Sequence, residues 1–262
     1  MKKLLLIVMI LMSLANVKAQ NVHLNLGLGV CNYQGDLQPS YFTFNQADFA
    51  FTVGALYELN PRWFLRGNVS FGKIEGSDHK HSKNASRNLS FSSQLTDIFL
   101  GAQYDIMDSY EHSFVPYAFS GISIFHFNPQ TIDATGGVAF LHELGTEGQG
   151  FAPGRKVYGL TQVAIPVGVG VKYSVSENLK INLEIGFRKT FTDYLDDVST
   201  YYVDQSLLLQ NNGQRAVDLA YRGDEYSPVL SAYPKQGRIR GNPDKKDWYY
   251  FFTTGVSFRI AE

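Results

Sequence analysis

The sequence contains little cysteine, few charged residues and no excess of positive charge. It has one cysteine, Cys31, in 262 residues, so it can form no internal disulfide and no cysteine-based zinc site. The 23 Lys and Arg residues balance 24 Asp and Glu residues, which excludes the basic surface of a dedicated nucleic-acid-binding protein. With 18% charged and 14% aromatic residues, the chain is unlike a disordered acidic protein or a coiled coil. We therefore expect an all-β protein without a nucleic-acid partner.

The sequence also lacks an apolar stretch long enough to cross a membrane as a helix. The longest one, residues 4–15, follows a positively charged start and precedes the small residues Val17 and Ala19. This pattern predicts a secretory signal peptide, residues 1–19, that is cleaved after Ala19. The apolar part is about a dozen residues, whereas a spanning helix needs roughly 20. Any insertion of this protein into a membrane must therefore use strands.

Alternation of apolar and polar residues organises the remainder, residues 20–262. In the first run Leu24 and Leu26 share one face, while Asn25 and Gly27 lie on the other. This period of two is typical of strands. Eight such runs begin near Val22, Phe49, Trp63, Leu89, Phe114, Val163, Leu179 and Trp248.

One run changes its parity. Its apolar residues occupy odd positions up to Leu95 and even positions from Ile98 onward. An extra residue in a strand shifts its alternation in this way, so we expect a β-bulge near Thr96 and Asp97.

The connections between the runs alternate between long and short. The short links lie near 60–62, 107–113 and 176–178, and the long ones near 35–46, 73–88, 128–158 and 190–247. Barrels of the bacterial outer membrane have short periplasmic turns and longer extracellular loops. The sequence therefore predicts an eight-stranded antiparallel transmembrane β-barrel of residues 20–262, located in the outer membrane and in contact with its lipids.

Alternation alone does not distinguish this barrel from a soluble one that carries a ligand or lipid in its interior. The polar faces favour the membrane barrel, because they carry mostly small or amide residues such as Asn25, Gly54 and Gly168. A solvated surface would carry long charged residues instead. The few long charged residues, among them Arg66 and Glu184, could pair across an enclosed lumen. We favour the membrane barrel and keep the soluble barrel as the alternative. Eight strands leave room for side chains only, so we expect no pore.

Several stretches resemble the PorG family of outer-membrane proteins in Bacteroidota. They are FHFNP at 125–129, GTEGQG at 145–150, TFTDYLDDV at 190–198 and NYQGDL at 32–37. The resemblance implies a barrel of the type IX protein secretion machinery. It also implies partners in the periplasm, a ring of a PorK-like lipoprotein and a PorN-like subunit, which the barrel would anchor or organise.

Two regions are candidates for the contact with a partner. The turn 107–113 is the longest of the short links and is our first choice; the alternative is that the long loops bind cargo or a neighbouring translocon subunit. The candidate residues are Asp108, Tyr110 and Glu111 in the turn, and Asp193, Tyr194, Asp196 and Asp197 in the last loop.

The sequence carries only weak signals for metal binding, phosphate binding and catalysis. The acidic block 193–197 could bind calcium, but solvated carboxylates or pairing with the basic stretch 235–246 is the simpler interpretation. The glycines of 145–150 indicate a flexible loop rather than a phosphate site. Ser123 and His126 could suggest a lipid A acyl-modifying enzyme, but three residues apart on a strand they point to opposite faces. We expect no enzyme activity, metal ion or cofactor.

Overall fold

The computed structural model describes residues 22–40, 43, 46–80, 84–227, 229 and 232–260. The predicted signal peptide, residues 1–19, lies outside this part of the chain. Within it, no helix has both the length and the apolar character needed to span a membrane.

Eight long strands and one small hairpin form the sheet. The long strands are β1 (Val22–Gln34), β2 (Ala47–Asn60), β3 (Trp63–Ser77), β4 (Ser90–Asp105), β5 (Phe114–Phe127), β8 (Thr161–Ser174), β9 (Leu179–Thr190) and β10 (Trp248–Arg259). The hairpin is β6 (Gln130–Ile132) and β7 (Val138–Phe140). The helices are α1 (Leu141–Leu144), α2 (Gln205–Asn212), α3 (Gln214–Ala220) and α4 (Gly223–Tyr226), with 3-10 turns at Asp78–Lys80 and Ala85–Arg87.

The long strands close into a barrel in the order β3-β2-β1-β10-β9-β8-β5-β4, with β3 also paired to β4. All of these pairs are antiparallel. Since β1 pairs with β10 as well, no barrel strand has a free edge. The predicted fold class, an eight-stranded antiparallel barrel, is confirmed.

The two ends of the barrel differ in their connections, as predicted. The short turns, residues 61–62, 106–113 and 175–178, lie together at what we call the short-turn end. The long connections, 35–46, 78–89, 128–160 and 191–247, lie at the other end. We call the described residues of these four connections the cap.

Apolar side chains cover the outside of the barrel and polar ones point inward. Leu26, Leu100 and Val167 are exposed, whereas Asn25, Arg66 and Glu184 are buried in the lumen. A soluble barrel has the opposite arrangement, with its apolar face inside. The outward apolar surface is what lipid tails require.

The bulge predicted in β4 is wrong. Its register against β3 and β5 is unbroken from Ser90 to Asp105, and its odd positions point inward throughout. Leu95 is buried inside the barrel, whereas Ile98 faces outward. The parity of the apolar residues changes because the two parts of the strand have different surroundings. Up to Leu95 its inner face packs in the core of the cap, and from Ile98 onward its outer face lies in the apolar belt.

That core continues the barrel interior into the cap. It combines inward residues of the strands with residues of the long connections, among them Leu37, Leu141 and Leu195. A second small cluster joins α2 and α3 through Leu208 and Val217. The cap is therefore packed onto the mouth of the barrel.

Candidate functional site

The middle of the lumen is filled by a buried ion pair. Arg66 donates two hydrogen bonds to Glu184, at 2.5 Å from Nη1 to Oε2 and 2.9 Å from Nη2 to Oε1. The hydroxyl of Tyr117 donates to Oε2 of the same carboxylate at 2.9 Å, and the ring of Phe119 lies 4.4 Å from the guanidinium carbon. Two-point pairing of this kind is strong and directional. It joins β3, β5 and β9 across the axis of the barrel.

Further polar contacts fill the lumen towards the short-turn end. Lys172 pairs with Asp105, and His23 lies 3.2 Å from Glu58. The cavity that remains between these groups has a volume of about 20 Å³, which is room for one or two water molecules. Arg66 and Glu184, which were predicted to pair across the lumen, therefore do so, and the described interior is a plug with no room for a passing solute.

The turn between β4 and β5 folds over the short-turn end. Tyr110 donates its hydroxyl to Glu58 at 2.7 Å, and Lys180 donates to Ser109 at 2.8 Å. The carboxylate of Asp108 accepts the backbone N–H of Tyr110 at 2.8 Å, which fixes the turn. Tyr110 is still 48% exposed, and Glu111 at the next position is exposed as well. The turn is thus held to the lumen while one aromatic and one acidic side chain face outward.

The acidic block of the last loop lies inside the cap. Asp193, Asp196 and Asp197 are almost completely buried, and Tyr194 is half-buried. Asp196 accepts hydrogen bonds from the hydroxyl of Tyr33 at 2.7 Å and from the backbone N–H of Val198 at 3.0 Å. The interpretation of these carboxylates as solvated is wrong. The prediction that a partner contacts them stays untested, but their side chains do not reach the surface.

Asp197 is held by side chains of another connection. Its carboxylate accepts from Thr146 at 2.5 Å and from the hydroxyl of Tyr158 at 2.8 Å. Its backbone φ is 62°, in the left-handed region that residues other than glycine rarely adopt. The Asp197 carbonyl accepts from Arg240 at 2.5 Å. The contacts on both sides of the residue hold this unusual conformation in place.

Glu147 is a central residue that the sequence analysis missed. Its carboxylate accepts the backbone N–H groups of Ser199 and Thr200, at 2.9 and 3.0 Å, and pairs with Arg240 at 3.0 Å. The stretch 145–150 is therefore an ordered part of the cap, and its prediction as a flexible loop is wrong. Pairing of the acidic block with the basic stretch is confirmed for Arg240, whose guanidinium lies 3.9 Å from the carboxylate of Asp197.

An aromatic stack connects the same region to the barrel. The rings of Phe127 and Tyr158 stack at 6.2 Å, and those of Tyr158 and Tyr194 stack at 4.6 Å. Three of the four stretches that carry the family resemblance, at 125–129, 145–150 and 190–198, therefore meet in one place. The fourth, at 32–37, joins them through Tyr33 and Asp196. These stretches build the core of the cap.

Burial changes the acidity of the carboxyl groups in the cap. It raises the pKa of Asp193 to about 8 and the pKa of Asp197 to about 6. Burial and the neighbouring carboxyl groups of Asp196 and Asp193 also raise the pKa of Asp247. Part of this group is therefore protonated near neutral pH.

The described ranges form neither a metal site nor a catalytic pair of Ser123 and His126. In those ranges no three His, Cys, Asp or Glu side chains are arranged to hold a metal ion. Ser123 is buried in the lumen, whereas His126 points outward and accepts or donates at Thr161 Oγ1, 3.0 Å away. The opposite faces predicted for these two residues are confirmed, and a proton cannot pass directly between them.

Several solved barrels resemble the chain at low identity. Neisserial surface protein A is 12% identical with a TM-score of 0.45, and covers 91% of this chain and 97% of its own. Ail, the attachment invasion locus protein of Yersinia pestis, is 10% identical with a TM-score of 0.42, over 90% and 96% of the two chains. A major outer membrane protein of Thermus thermophilus is 14% identical with a TM-score of 0.40, over 91% and 98%. These likenesses carry no argument about function.

The sequence itself gives the family. No curated protein matches the chain. The sequence pattern of the outer membrane protein beta-barrel domain, however, matches residues 4–208, which is most of the chain. This match, on a closed barrel with an apolar exterior, shows that the chain belongs to the outer membrane protein beta-barrel domain family.

Proposed function

We propose that this protein is a non-catalytic barrel of the type IX protein secretion machinery that anchors or organises a periplasmic ring at the outer membrane. The ring subunits would be a PorK-like lipoprotein and a PorN-like protein. The observation that carries the proposal is the fixed turn with the exposed Tyr110 at the short-turn end. The PorG resemblance of the stretches in the cap supports the choice of this machinery.

The filled lumen supports an anchoring role over transport. The pair of Arg66 and Glu184 and the contact of Lys172 with Asp105 block the axis. A barrel without a channel can still act through its surfaces. Since short turns of such barrels face the periplasm, the short-turn end is the surface that a periplasmic ring would meet.

The turn has the properties of a contact site. Tyrosine is enriched among the residues that contribute most to protein interfaces. A turn already fixed by Asp108 and Glu58 loses little conformational entropy on binding, which favours affinity. Glu111 adds an exposed negative charge at the next position of the turn, while Lys180 and Arg259 lie 5.4 and 5.6 Å from the ring of Tyr110, so the surface around the ring carries charges of both signs.

The contact can be tested by photocrosslinking in cells. A photoreactive residue in place of Tyr110 should give an adduct with the ring lipoprotein. Tyr226 in the cap is a matched control, since this residue is 47% exposed against 48% for Tyr110. Glu177, exposed in the neighbouring short turn, measures how far the contact extends. Adducts with the lipoprotein from position 226 alone would contradict the proposal and favour a contact through the cap.

A further inference from the structure

The outer side of the cap contains a pocket of about 410 Å³. It lies where the connection between β3 and β4 meets the connection between β9 and β10, at the end of the barrel opposite the short turns. Small-molecule sites commonly have volumes of about 300 to 1,000 Å³. The pocket is therefore large enough for a ligand of the size of a monosaccharide.

Three arginines line the pocket, and two of them are already occupied. Arg87 donates to both carboxylate oxygens of Asp78 at 2.7 Å. Arg240 pairs with Glu147 and donates to the carbonyl of Ala220. These two guanidinium groups give the pocket a rigid wall.

Arg238 differs from both. Its backbone is fixed, because its N–H donates to Lys235 O at 3.1 Å and its carbonyl accepts from Tyr202 N at 2.9 Å. Its side chain is exposed, and within the described part of the chain its guanidinium has no hydrogen bond or ion pair. A guanidinium held at the mouth of a pocket and without an anion is suited to bind a carboxylate or phosphate group.

The rest of the lining suits a hydroxylated molecule. Tyr202 and Tyr221 supply aromatic faces, with their rings 6.0 Å apart and nearly perpendicular. Asn84 and Ser86 supply amide and hydroxyl groups, and Asp36 supplies a carboxylate that can accept from a hydroxyl. Polar groups at one edge and aromatic faces at another bind a ring that carries both C–H and O–H groups.

We propose that this pocket binds a hydroxylated organic anion, a sugar acid or a sugar phosphate, whose charged group pairs with Arg238. The charges of the lining fit a ligand with one anionic group and a hydroxyl. Arg87 and Arg240 are neutralised by their own carboxylates, so among the described lining residues Arg238 is the cation left to pair with the anionic group. Asp36, whose carboxylate also accepts the backbone N–H of Asn242 at 2.8 Å, is the acceptor for the hydroxyl. The site is separate from the short-turn end and independent of the secretion role.

Titration calorimetry on the full protein in phosphatidylcholine nanodiscs tests the site. Glucose 6-phosphate and glucuronate are the probes, and glucose is the neutral control. We expect saturable binding of both anions and at least roughly tenfold weaker binding of glucose. Arg238→Glu should weaken both anions by at least roughly tenfold, while Lys235→Glu, a matched charge reversal three positions away, should leave them unchanged.

A second variant tests whether binding needs the pocket as well as the charge of Arg238. Ser86→Trp keeps Arg238 but fills the pocket, and should abolish binding of both anions. Nanodiscs that contain lipopolysaccharide identify the source of the ligand. Weaker binding of glucose 6-phosphate in these nanodiscs would mean that lipopolysaccharide competes for the site, and would assign a lipid headgroup as the ligand. Unchanged binding would assign a free sugar. No saturable binding of either anion, or wild-type affinity in Arg238→Glu or Ser86→Trp, would overturn the proposal.

Discussion

Glu147 and Arg240 pair at 3.0 Å inside the cap although they are 93 positions apart in the chain. Both side chains are almost fully buried. The pair ties the connection after β5 to the connection after β9. Removing Glu147 leaves the buried Arg240 with only the more distant carboxylate of Asp197, at 3.9 Å. Breaking a buried pair in this way typically costs about 3 to 5 kcal/mol.

Glu147→Gln should therefore loosen the cap without opening the barrel. The expected result is much faster cleavage of the last connection, residues 191–247, by a protease added to the outside. Migration on gels with and without heating reports whether the barrel is intact. Arg215→Met is the control, because its partly exposed pair with Asp133 should contribute less than about 1 kcal/mol. Equal cleavage of the two variants would contradict the structural role of Glu147.

The cap should become less stable as pH rises. Burial raises the pKa of Asp193 to about 8 and of Asp197 to about 6, both from 3.8, so the folded cap binds protons more tightly than the unfolded chain. Their contribution is fully present below about pH 4 and is lost as pH rises through these folded values. Hydrogen-exchange protection of the cap should be at least about tenfold higher at pH 5 than at pH 8.

Asp193→Asn mimics the protonated group and should flatten this pH dependence. Asp133→Asn is the matched control, since hydrogen bonds from Thr135 and Gly137 lower the pKa of Asp133 to about 2 and it stays ionised over the whole range. A pH profile of Asp193→Asn that overlays the wild-type profile would refute the prediction.

The plug should depend on the pair between Arg66 and Glu184. Arg66→Met leaves the buried Glu184 carboxylate with only Tyr117 and should destabilise the barrel by about 3 to 5 kcal/mol. The double variant Arg66→Met with Glu184→Leu should recover most of that loss, because no charge remains unpaired. Urea unfolding in lipid vesicles measures both. A double variant as unstable as the single one would show that the pair itself contributes the stability.

Lipid contact should be visible at Leu100, which is 70% exposed on the outside of β4. Leu100→Arg places a charge against lipid tails and should cost up to about 2 to 4 kcal/mol of folding free energy in vesicles. Leu207→Arg, on an exposed position of α2 in the cap, should change this free energy by less than about 0.5 kcal/mol. Similar losses at both positions would contradict the location of the apolar belt.

The barrel could be predicted from the sequence because each strand carries its own signal. Alternation such as Leu24, Asn25, Leu26 depends only on which face meets lipid and which meets the lumen. The change of parity in β4 is visible in the same local pattern, but its cause is the packing of the cap against Leu95. A local pattern cannot distinguish a bulge from a change of environment along a regular strand.

The cap could not be predicted in the same way. Asp193, Asp196 and Asp197 look like solvated carboxylates because residues 193–204 contain no Lys or Arg. Apart from Ser199 and the backbone N–H of Val198, their partners come from distant segments, such as Tyr33 and Tyr158. No spacing in the sequence marks Glu147, whose role follows only from its contacts with Ser199 and Arg240.

The seam between β1 and β10 constrains how the protein can be assembled. Within the barrel, β10 pairs with both β1 and β9, so a nascent chain without Trp248–Arg259 has two open edges, on β1 and β9. Open edges recruit foreign strands in water and are costly in hydrocarbon. Biogenesis must therefore shelter an unfinished sheet until the whole chain has been delivered.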